Sequence, residues 1–364
     1  MPKYPNKKKR KHYWKRYFRA NIKNYRKVWN FLDELIKEKG VAFRNKRRGR
    51  KPKHSLAIYT KLCIFIGYFH LTIDEAAGLL DLLENKTLDR SNVDRWFIRF
   101  NKEYARVTTN WLHNKIEAMF PAGDYITDGT KITTDRYKKK LVKGEETYVL
   151  RLMGLCILVM YFASVGMVSI VNFHTMTGDA HESPPFRNYL LERVKLRKRK
   201  RVHGDKGFDA EENFEKIYEK GLIPNIVPKE GSKKGFYRHK ARKDYSDKLR
   251  KAIRGLVEVV FGGMETETNN RVRFRKDRAR KNYIALRALS HEIRTYFRAI
   301  AHKTIAYLKL FRNNLAYVTT LERLLYNVAH STFQKAHYTL FFLLEDMLYL
   351  HKDQSVQLKK AQVL

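Results

Sequence analysis

Apolar positions recur at helical spacing in the first third of the chain. The stretch "YRKVWNFLDELIKEKG", residues 25–40, predicts one amphipathic helix that ends at a glycine. "SLAIYTKLCIFIGYFH" predicts a buried helix, and "TIDEAAGLL" predicts a second that opens with a capping box of Thr72 and Glu75. A third helix is predicted in "SNVDRWFIRF", with Ser91 as its cap.

Three short helices with a basic third one are typical of a helix-turn-helix module. In that interpretation Asn92, Arg95 and Arg99 face DNA. A small helical bundle in which Trp96 and Phe97 only pack explains the same letters equally well, so both interpretations stay open.

The pattern changes to alternation after Pro121. "DYITDGTKITTDRY" alternates like a strand, and the uncharged stretch 152–171, "LMGLCILVMYFASVGMVSIV", is long enough to span a bilayer. Gly and Ser interrupt it at "ASVG", and β-branched and aromatic residues fill both halves, which favours two buried strands joined by a tight turn.

The same region continues with alternating helices and strands. "SPPFRNYLLERV" predicts a helix, and "KRVHGDKGF" and "LIPNIVP" predict further strands. From Asp247 onward the pattern is almost entirely helical, apart from the turn-rich "FGGMETETNNRVRFRKDRARKN". The order strand, strand, strand, helix, strand, helix is typical of an α/β domain.

These changes of pattern predict four regions. They are a basic arm with one helix at 1–54, a helix-turn-helix-like DNA-binding region at 55–118, an α/β catalytic domain with a mixed sheet at 119–300, and a helical C-terminal tail at 301–364.

Charge narrows the choice of partner. The 364 residues contain 76 Lys and Arg against 37 Asp and Glu, a formal charge of 76 − 37 = +39. Such an excess repels itself unless a polyanion neutralises it, and nucleic acid matches a long cationic surface best. An anionic membrane surface is the rival partner. The basic N-terminus lacks the apolar segment of a secretory signal, and two distant cysteines suit a reducing, cytoplasmic compartment.

Two basic segments are candidate DNA contacts. In "RRGRKPKH", residues 47–54, an Arg-Gly-Arg core could enter a narrow minor groove. "RVRFRKDRARKN", residues 271–282, alternates Arg with apolar residues, so an extended backbone would place its arginines on one face for phosphate contacts. A solvated basic linker or loop is the alternative for both. The residues assigned to phosphate or groove contact here are Arg48, Arg50, Arg271, Arg273, Arg275, Lys276 and Arg280.

Carboxylates are scarce, and three of them stand at positions suited to chemistry. Asp128 in "TDGT" is predicted at the end of the first α/β strand, and Asp205 ends a later strand between Gly204 and Gly207. The helix "DKLRKAIRGLVEVVFG" adds Glu258, with Arg254 four residues earlier on the same face.

Three carboxylates with little nitrogen or sulfur suit two Mg²⁺ ions, or Mn²⁺, rather than zinc. Such a pair could activate an attacking water or 3′-hydroxyl at phosphorus. Taken singly, each acid has a plain alternative as a turn residue or as one end of a surface salt bridge. If the helix is misplaced, Glu265 or Glu267 could replace Glu258.

The set "YITDGTKI", "TGDAHESPPF", "VHGDKGFDA" and "RGLVEVVFGGM" resembles the catalytic core of DDE transposases of bacterial and archaeal insertion sequences. The resemblance covers roughly residues 120–300 and implies a ribonuclease-H-like fold. It also implies that Asp128, Asp205 and Glu258 form the metal-binding triad, with Arg254 and Phe261 at the positions around the glutamate.

The chain departs from that pattern at three places. Many relatives have a Tyr three residues before the Arg and a Lys seven after the Glu, where this chain has Lys251 and Glu265. Lys251 could itself bind phosphate. The position that often reads His-Asp-Ser is His181-Glu182-Ser183, and Glu182 is not expected to be a metal ligand.

The resemblance implies a DNA transposase that binds double-stranded DNA at element ends and target, cleaves it and transfers strands. It would use Mg²⁺ without a small-molecule cofactor, act as a homodimer in the synaptic complex, and lie in the cytoplasm at the nucleoid, away from membranes. Alternatives are a non-catalytic DNA-binding protein derived from a transposase, a metal-dependent DNA nuclease, and, with least support, a membrane-associated basic protein.

Overall fold

The computed structural model describes residues 24–43, 52–142, 145–178, 180–231, 234–265, 271–272 and 274–315. The described residues up to 117 are mainly helical. The helices are α1 at 24–39, α2 at Leu56–Phe69, α3 at Ile73–Glu84, α4 at Arg90–Arg99 and α5 at Lys102–Glu117.

Local sequence explains where these helices begin. Thr72 accepts a hydrogen bond from the Glu75 N–H while the Glu75 side chain accepts one from the Thr72 N–H, so the predicted capping box is confirmed. The predicted cap of α4 is wrong. That helix begins at Arg90 with Asp89 as the cap residue, and Ser91 lies inside its first turn.

A mixed sheet follows these helices. Its strands are β1 at Tyr125–Val142, β2 at Glu145–Phe162, β3 at Met167–Thr177, β4 at Arg201–Gly204, β5 at Ile223–Ile226 and β6 at Arg271–Val272. The order is β3-β2-β1-β4-β5, with β6 paired to β1. The first three strands are antiparallel, whereas β4 runs parallel to β1 and β5.

The apolar stretch 152–171 forms the end of β2, a turn and the start of β3, as its interrupted pattern predicts. Its residues from Leu155 to Met160 are fully buried in the sheet. Among the described helices, none alone has the length and hydropathy of a membrane span. Only α2 and α3 together pass that test, across a bend of 120°.

Flanking helices cover the sheet. They are α6 at Ser183–Pro185 followed by a π-helical segment at Phe186–Leu191, α7 at Glu211–Glu219, α8 at Phe236–Asp244, α9 at Asp247–Glu265 and α10 at Asp277–Leu315. The chain divides into two compact units, residues 1–296 and 297–364, and the boundary falls inside α10. The helical region and the sheet belong to the same unit, so the predicted boundaries near 54 and 118 stay predictions.

A bulge in β3 is held by polar side chains from two helices. Leu158 pairs with Asn172 but Val159 pairs with Ile170, which leaves Val171 as the extra residue. Asn110 on α5 donates to the Val171 carbonyl at 3.0 Å, and Glu292 on α10 accepts from the Ile170 N–H at 2.7 Å. The backbone groups that the bulge takes out of the ladder are therefore satisfied by side chains.

Candidate active site

The predicted aspartates lie on the adjacent strands β1 and β4, at the carboxyl end of β4. Parallel pairing between β1 and β4 joins Tyr125 to Val202 and Ile126 to His203. Extending this register by two residues places Asp128 opposite Asp205, on strands that are about 4.8 Å apart. The carboxyl end of β4 therefore brings the two aspartates together.

The structure corrects the expected position of Asp128. It does not end its strand, because β1 continues beside β2 as far as Val142. Asp128 instead lies just beyond the short parallel pairing with β4. Its Oδ1 accepts a hydrogen bond from the Gly129 N–H at 2.8 Å.

Asp205 occupies an exposed turn. Its backbone is extended, and its Oδ1 accepts from the Gly207 N–H at 2.7 Å, which starts the single 3-10 turn Lys206–Phe208. The carboxylate is thus oriented by its own loop.

A third carboxylate, Glu182, completes the cluster. Gly129 lies so close that a Cβ built on it would stand 2.1 Å from the Glu182 Cδ. Only glycine leaves room for this carboxylate beside Asp128. The sequence analysis did not expect Glu182 to be a ligand, although it occupies the middle of the position that often reads His-Asp-Ser.

Electrostatics supports the grouping of Asp128, Glu182 and Asp205, which we call the acid cluster. Burial and the negative charges of Asp128 and Asp205 raise the pKa of Glu182, and only Lys131 opposes them. The buried Cys156 thiol, which pairs with Gly129 across the hairpin, also has a raised pKa through burial and the charges of the same three acids. The three carboxylates therefore repel one another across a small space.

Hydrogen bonds fix the elements that carry these acids. Asp124, which precedes β1, accepts from the Arg201 N–H at 2.9 Å and contacts His203 Nε2 at 3.5 Å. Burial acts to raise the pKa of Asp124, but these two hydrogen bonds and the charges of His203 and Lys200 together lower it. Asp124 therefore ties the start of β1 to β4 and is not part of the acid cluster.

Glu258, the predicted third acid, lies on α9. Asn225 in β5 fixes the start of this helix, since its side chain accepts from the Ser246 N–H at 2.7 Å and donates to the Ser246 carbonyl at 3.1 Å. Val257, Val260, Phe261 and Met264 form the buried face of α9, whereas the Glu258 side chain is exposed. The charges that act on Glu182 come from Asp128, Asp205 and Lys131, so Glu258 is not part of the cluster in this conformation.

The donor atoms of the acid cluster suit a divalent cation, but the three side chains do not converge as an assembled metal site does. These donors are all carboxylate oxygens, the ligands that Mg²⁺ and Mn²⁺ prefer, and a cation would relieve their repulsion. Among the residues that the structure describes, no three Asp, Glu, His or Cys side chains converge as a ready metal site. The predicted triad of Asp128, Asp205 and Glu258 is thus not assembled here, and its role as ligand set stays a prediction.

Two groups of predicted DNA contacts lie on adjoining elements. Phe97 of α4 stacks on Phe274 with ring centroids 4.6 Å apart, and Asn282 of α10 donates to the Phe97 and Ile98 carbonyls. Arg95 and Arg99 of α4, and Arg275 and Lys276 next to Phe274, are exposed.

Other predicted DNA contacts have mixed outcomes. Asn92 is half-buried, and Lys251 is exposed with its Nζ 2.8 Å from Asp247. Arg48, Arg50 and Arg273, and the alternative acid Glu267, lie outside the described residues, as do the side chains of Arg254, Glu265 and Arg271.

The prediction that Arg280 contacts a DNA phosphate is wrong. Arg280 is 2% exposed, and its guanidinium donates to the Phe274 and Arg275 carbonyls and to Asp277. It fixes the turn that begins α10 and has no surface to offer a phosphate.

The described residues thus contain an α/β domain with a carboxylate cluster at the carboxyl end of β4, and exposed arginines on α4 and before α10. Residues 121–293, just under half of the chain, match the family model described as the transposase DDE domain, so this part of the chain is similar to a transposase DDE domain. The match begins and ends within a few residues of the predicted catalytic domain, 119–300.

A solved structure titled "Cryo-EM structure of piggyBac transposase synaptic complex with hairpin DNA (SNHP)" is similar to this chain at 10% identity. The similarity has a TM-score of 0.40 and covers 78% of this chain and 76% of that one. No curated protein sequence matches the chain.

Proposed function

We propose that the protein cleaves DNA at the ends of its own mobile element and joins the freed ends to target DNA. The observation that carries this proposal is the acid cluster at the carboxyl end of β4, inside a domain that is similar to the transposase DDE domain. The sheet order β3-β2-β1-β4-β5, with three antiparallel strands followed by two parallel ones, supports a ribonuclease-H-like fold.

Asp128 and Asp205 would hold the Mg²⁺ or Mn²⁺ ions in this proposal. Glu258 would join them if α9 shifts or its side chain turns when DNA binds, and Glu182 is already beside Asp128. When bound, divalent cations supply charge that activates the attacking oxygen and stabilises the leaving oxygen.

The reaction proceeds in two displacements at phosphorus. In the first, a water oxygen bonds to phosphorus while the bond to the 3′ oxygen breaks, which leaves a 3′-hydroxyl and a 5′-phosphate. In the second, that 3′ oxygen bonds to a target phosphorus and the target's own 3′ oxygen leaves. The exposed residues Arg95, Arg99, Arg275 and Lys276 would hold duplex phosphates without reading sequence.

The proposed activity also implies an oligomeric state and a cellular location. Bringing two element ends together requires at least a homodimer, with each copy carrying one acid cluster. A cytoplasmic, nucleoid-associated location follows from a substrate that is chromosomal DNA and from the net charge of +39.

The test is cleavage and joining of a plasmid that carries the gene with its native flanking DNA, in Mg²⁺ and in Mn²⁺. We expect Asp205→Asn to lower end cleavage by at least about a thousandfold, because the lost charge is one the metal ions require. Glu212→Gln is the matched control, since Glu212 is an exposed acid seven residues away on α7.

The products separate the remaining candidates. Recombinant molecules show joining, whereas cuts without joining indicate a nuclease. DNA binding without cleavage by the unaltered protein would favour a non-catalytic relative, the reading supported by the unassembled triad and by Lys251 and Glu265.

A further inference from the structure

Helix α8 presents an unusual outward surface. Phe236, His239, Lys240 and Lys243 are all exposed and follow the spacing i, i+3, i+4, i+7, so they form one stripe, which we call the α8 face. Phe236 is 76% exposed, more than any other large hydrophobic side chain among the described residues. An exposed aromatic ring among cations is a surface suited to a ligand.

The other side of α8 is fixed by two acids. Arg238 donates from Nε to Asp209 Oδ1 at 2.7 Å, and the Asp209 side chain is fully buried. Glu211 accepts from the Tyr237 N–H at 2.7 Å and from the Arg238 N–H at 3.0 Å, which caps the start of the helix.

Gly235 makes this cap possible. Its φ is +118°, and a Cβ at this position would stand 2.1 Å from Glu211 Oε2. The start of α8 is therefore held at a defined place against the loop that leads into α7.

That loop is the one that carries Asp205. Asp209 is four residues after Asp205, so the two residues lie at most about 14 Å apart. The buried ion pair of Asp209 with Arg238 therefore sets the position of α8 relative to the acid cluster.

The charges of the α8 face are available to a ligand. Within the described part of the chain, the side chains of His239 and Lys243 make no hydrogen bond or ion pair. Lys240 lies over the Tyr218 ring at 4.2 Å, which leaves its ammonium on the surface. Arg238, by contrast, is occupied by Asp209 and by the Lys234 carbonyl.

We propose that the α8 face binds an unpaired stretch of the DNA strand next to the bond that the acid cluster cleaves. Phe236 stacks on a base, and Lys240 and Lys243 contact the flanking phosphates. Aromatic rings set among cations are the common means of holding single-stranded nucleic acid. This inference rests on the proposed function, and it names the form of the substrate at that site.

The test is binding in the absence of metal, so that cleavage plays no part. The probes are a blunt duplex of the element end and the same duplex with a short 3′ overhang that contains 2-aminopurine, whose fluorescence is quenched by stacking. The proteins are the unaltered chain, Phe236→Ala, Phe236→Leu, Phe236→Trp, Lys243→Glu and Lys37→Glu. Lys37 is an exposed lysine of α1 and serves as the charge-matched control.

We expect the unaltered protein to prefer the overhang and to quench the probe. Phe236→Ala and Phe236→Leu should each weaken overhang binding about tenfold, since loss of a stacked base has that scale. Phe236→Trp should keep both binding and quenching, and Lys243→Glu should weaken binding more than Lys37→Glu does.

Three results would overturn the inference. They are equal binding of the two probes, overhang binding by Phe236→Leu as tight as that of the unaltered protein, and equal effects of the two charge reversals. Phe236→Leu is informative because it keeps apolar area without a ring. If the unaltered protein cleaves element ends but gives any of these results, only the α8 assignment fails. If it binds neither probe, the proposed function fails with it.

Discussion

At the scale of single residues, Glu292 shows how a buried acid can serve the fold alone. Its carboxyl is fully buried and accepts hydrogen bonds from the Ser169 hydroxyl at 2.5 Å and the Ile170 N–H at 2.7 Å. Burial raises the pKa of Glu292 to about 8, although both hydrogen bonds oppose the shift. The carboxyl is therefore neutral in the folded protein below that pH.

Glu292→Gln is expected to flatten the pH dependence of stability. The ordinary pKa of the carboxyl is 4.5, so between pH 4.5 and 8 the unfolded chain loses a proton that the folded protein keeps, and stability falls as pH rises. Each pKa unit corresponds to about 1.4 kcal/mol, so the decrease between pH 5 and pH 8 is on the order of a few kcal/mol.

Denaturant unfolding at pH 5 and pH 8 measures this effect. His113, whose Nδ1 lies 2.8 Å from the same Ser169 hydroxyl, stays neutral in that range, because burial and the charge of Arg197 lower its pKa to about 3. Glu212→Gln is the exposed control. Parallel pH profiles of Glu292→Gln and the unaltered protein would show that Glu292 is ionised in the folded state.

The individual acids were predictable to different degrees. Asp128 and Asp205 stand beside glycines at strand positions, and the register places them opposite each other as expected. Glu182 and Glu292 were not identified as partners, because their neighbours lie 53 and 122 residues away and no local spacing records that proximity. Arg280 looked like one more surface arginine, since a basic run does not show which member turns inward to bind carbonyls.

At the scale of elements, short-range patterns were informative where the chain obeys local rules. Three features occur at the residues where the sequence predicts them: the "ASVG" interruption, the Thr72 capping box and the helix that ends at Gly40. The long extension of β1 was missed because its partner is the equally long β2, and that pairing overrides the Asp-Gly turn signal. Helix α8 was missed because its sequence, "FYRHKARKD", lacks an apolar stripe.

Gly235→Ala is the prediction that belongs to this scale. The added Cβ meets the Glu211 carboxylate and must adopt a φ of +118°, so we expect a loss of about 2 kcal/mol of stability. Hydrogen exchange should show faster exchange at Tyr237 and Arg238, whose N–H groups lose their acceptor. Gly262→Ala is the control, because a Cβ added at this helical position would meet no atom within 4 Å outside its own stretch of helix, so both quantities should be unchanged or slightly improved. Unchanged exchange in Gly235→Ala would mean that Glu211 does not hold α8.

At the scale of the whole molecule, the chain combines a net charge of +39 with an acid cluster. The positive side chains attract a polyanion, whose phosphates the carboxylates alone would repel. The carboxylates in turn provide a site for a divalent cation within this positive electrostatic field. Composition could predict the partner, but only the fold brings Asp128, Glu182 and Asp205 together from segments far apart in sequence.

Mn²⁺ binding, followed by the electron paramagnetic resonance of the free ion, shows whether Asp128 and Asp205 hold a metal. The proteins are the unaltered chain, Asp128→Asn, Asp205→Asn, Glu182→Gln, Glu258→Gln and the control Glu212→Gln, each with and without element-end DNA. We predict that both aspartate variants weaken binding at least about tenfold, the loss that even outer-shell partners of a metal produce. Glu258→Gln should do so only when DNA is present. Binding as tight in Asp128→Asn and Asp205→Asn as in Glu212→Gln would show that the two aspartates hold no metal.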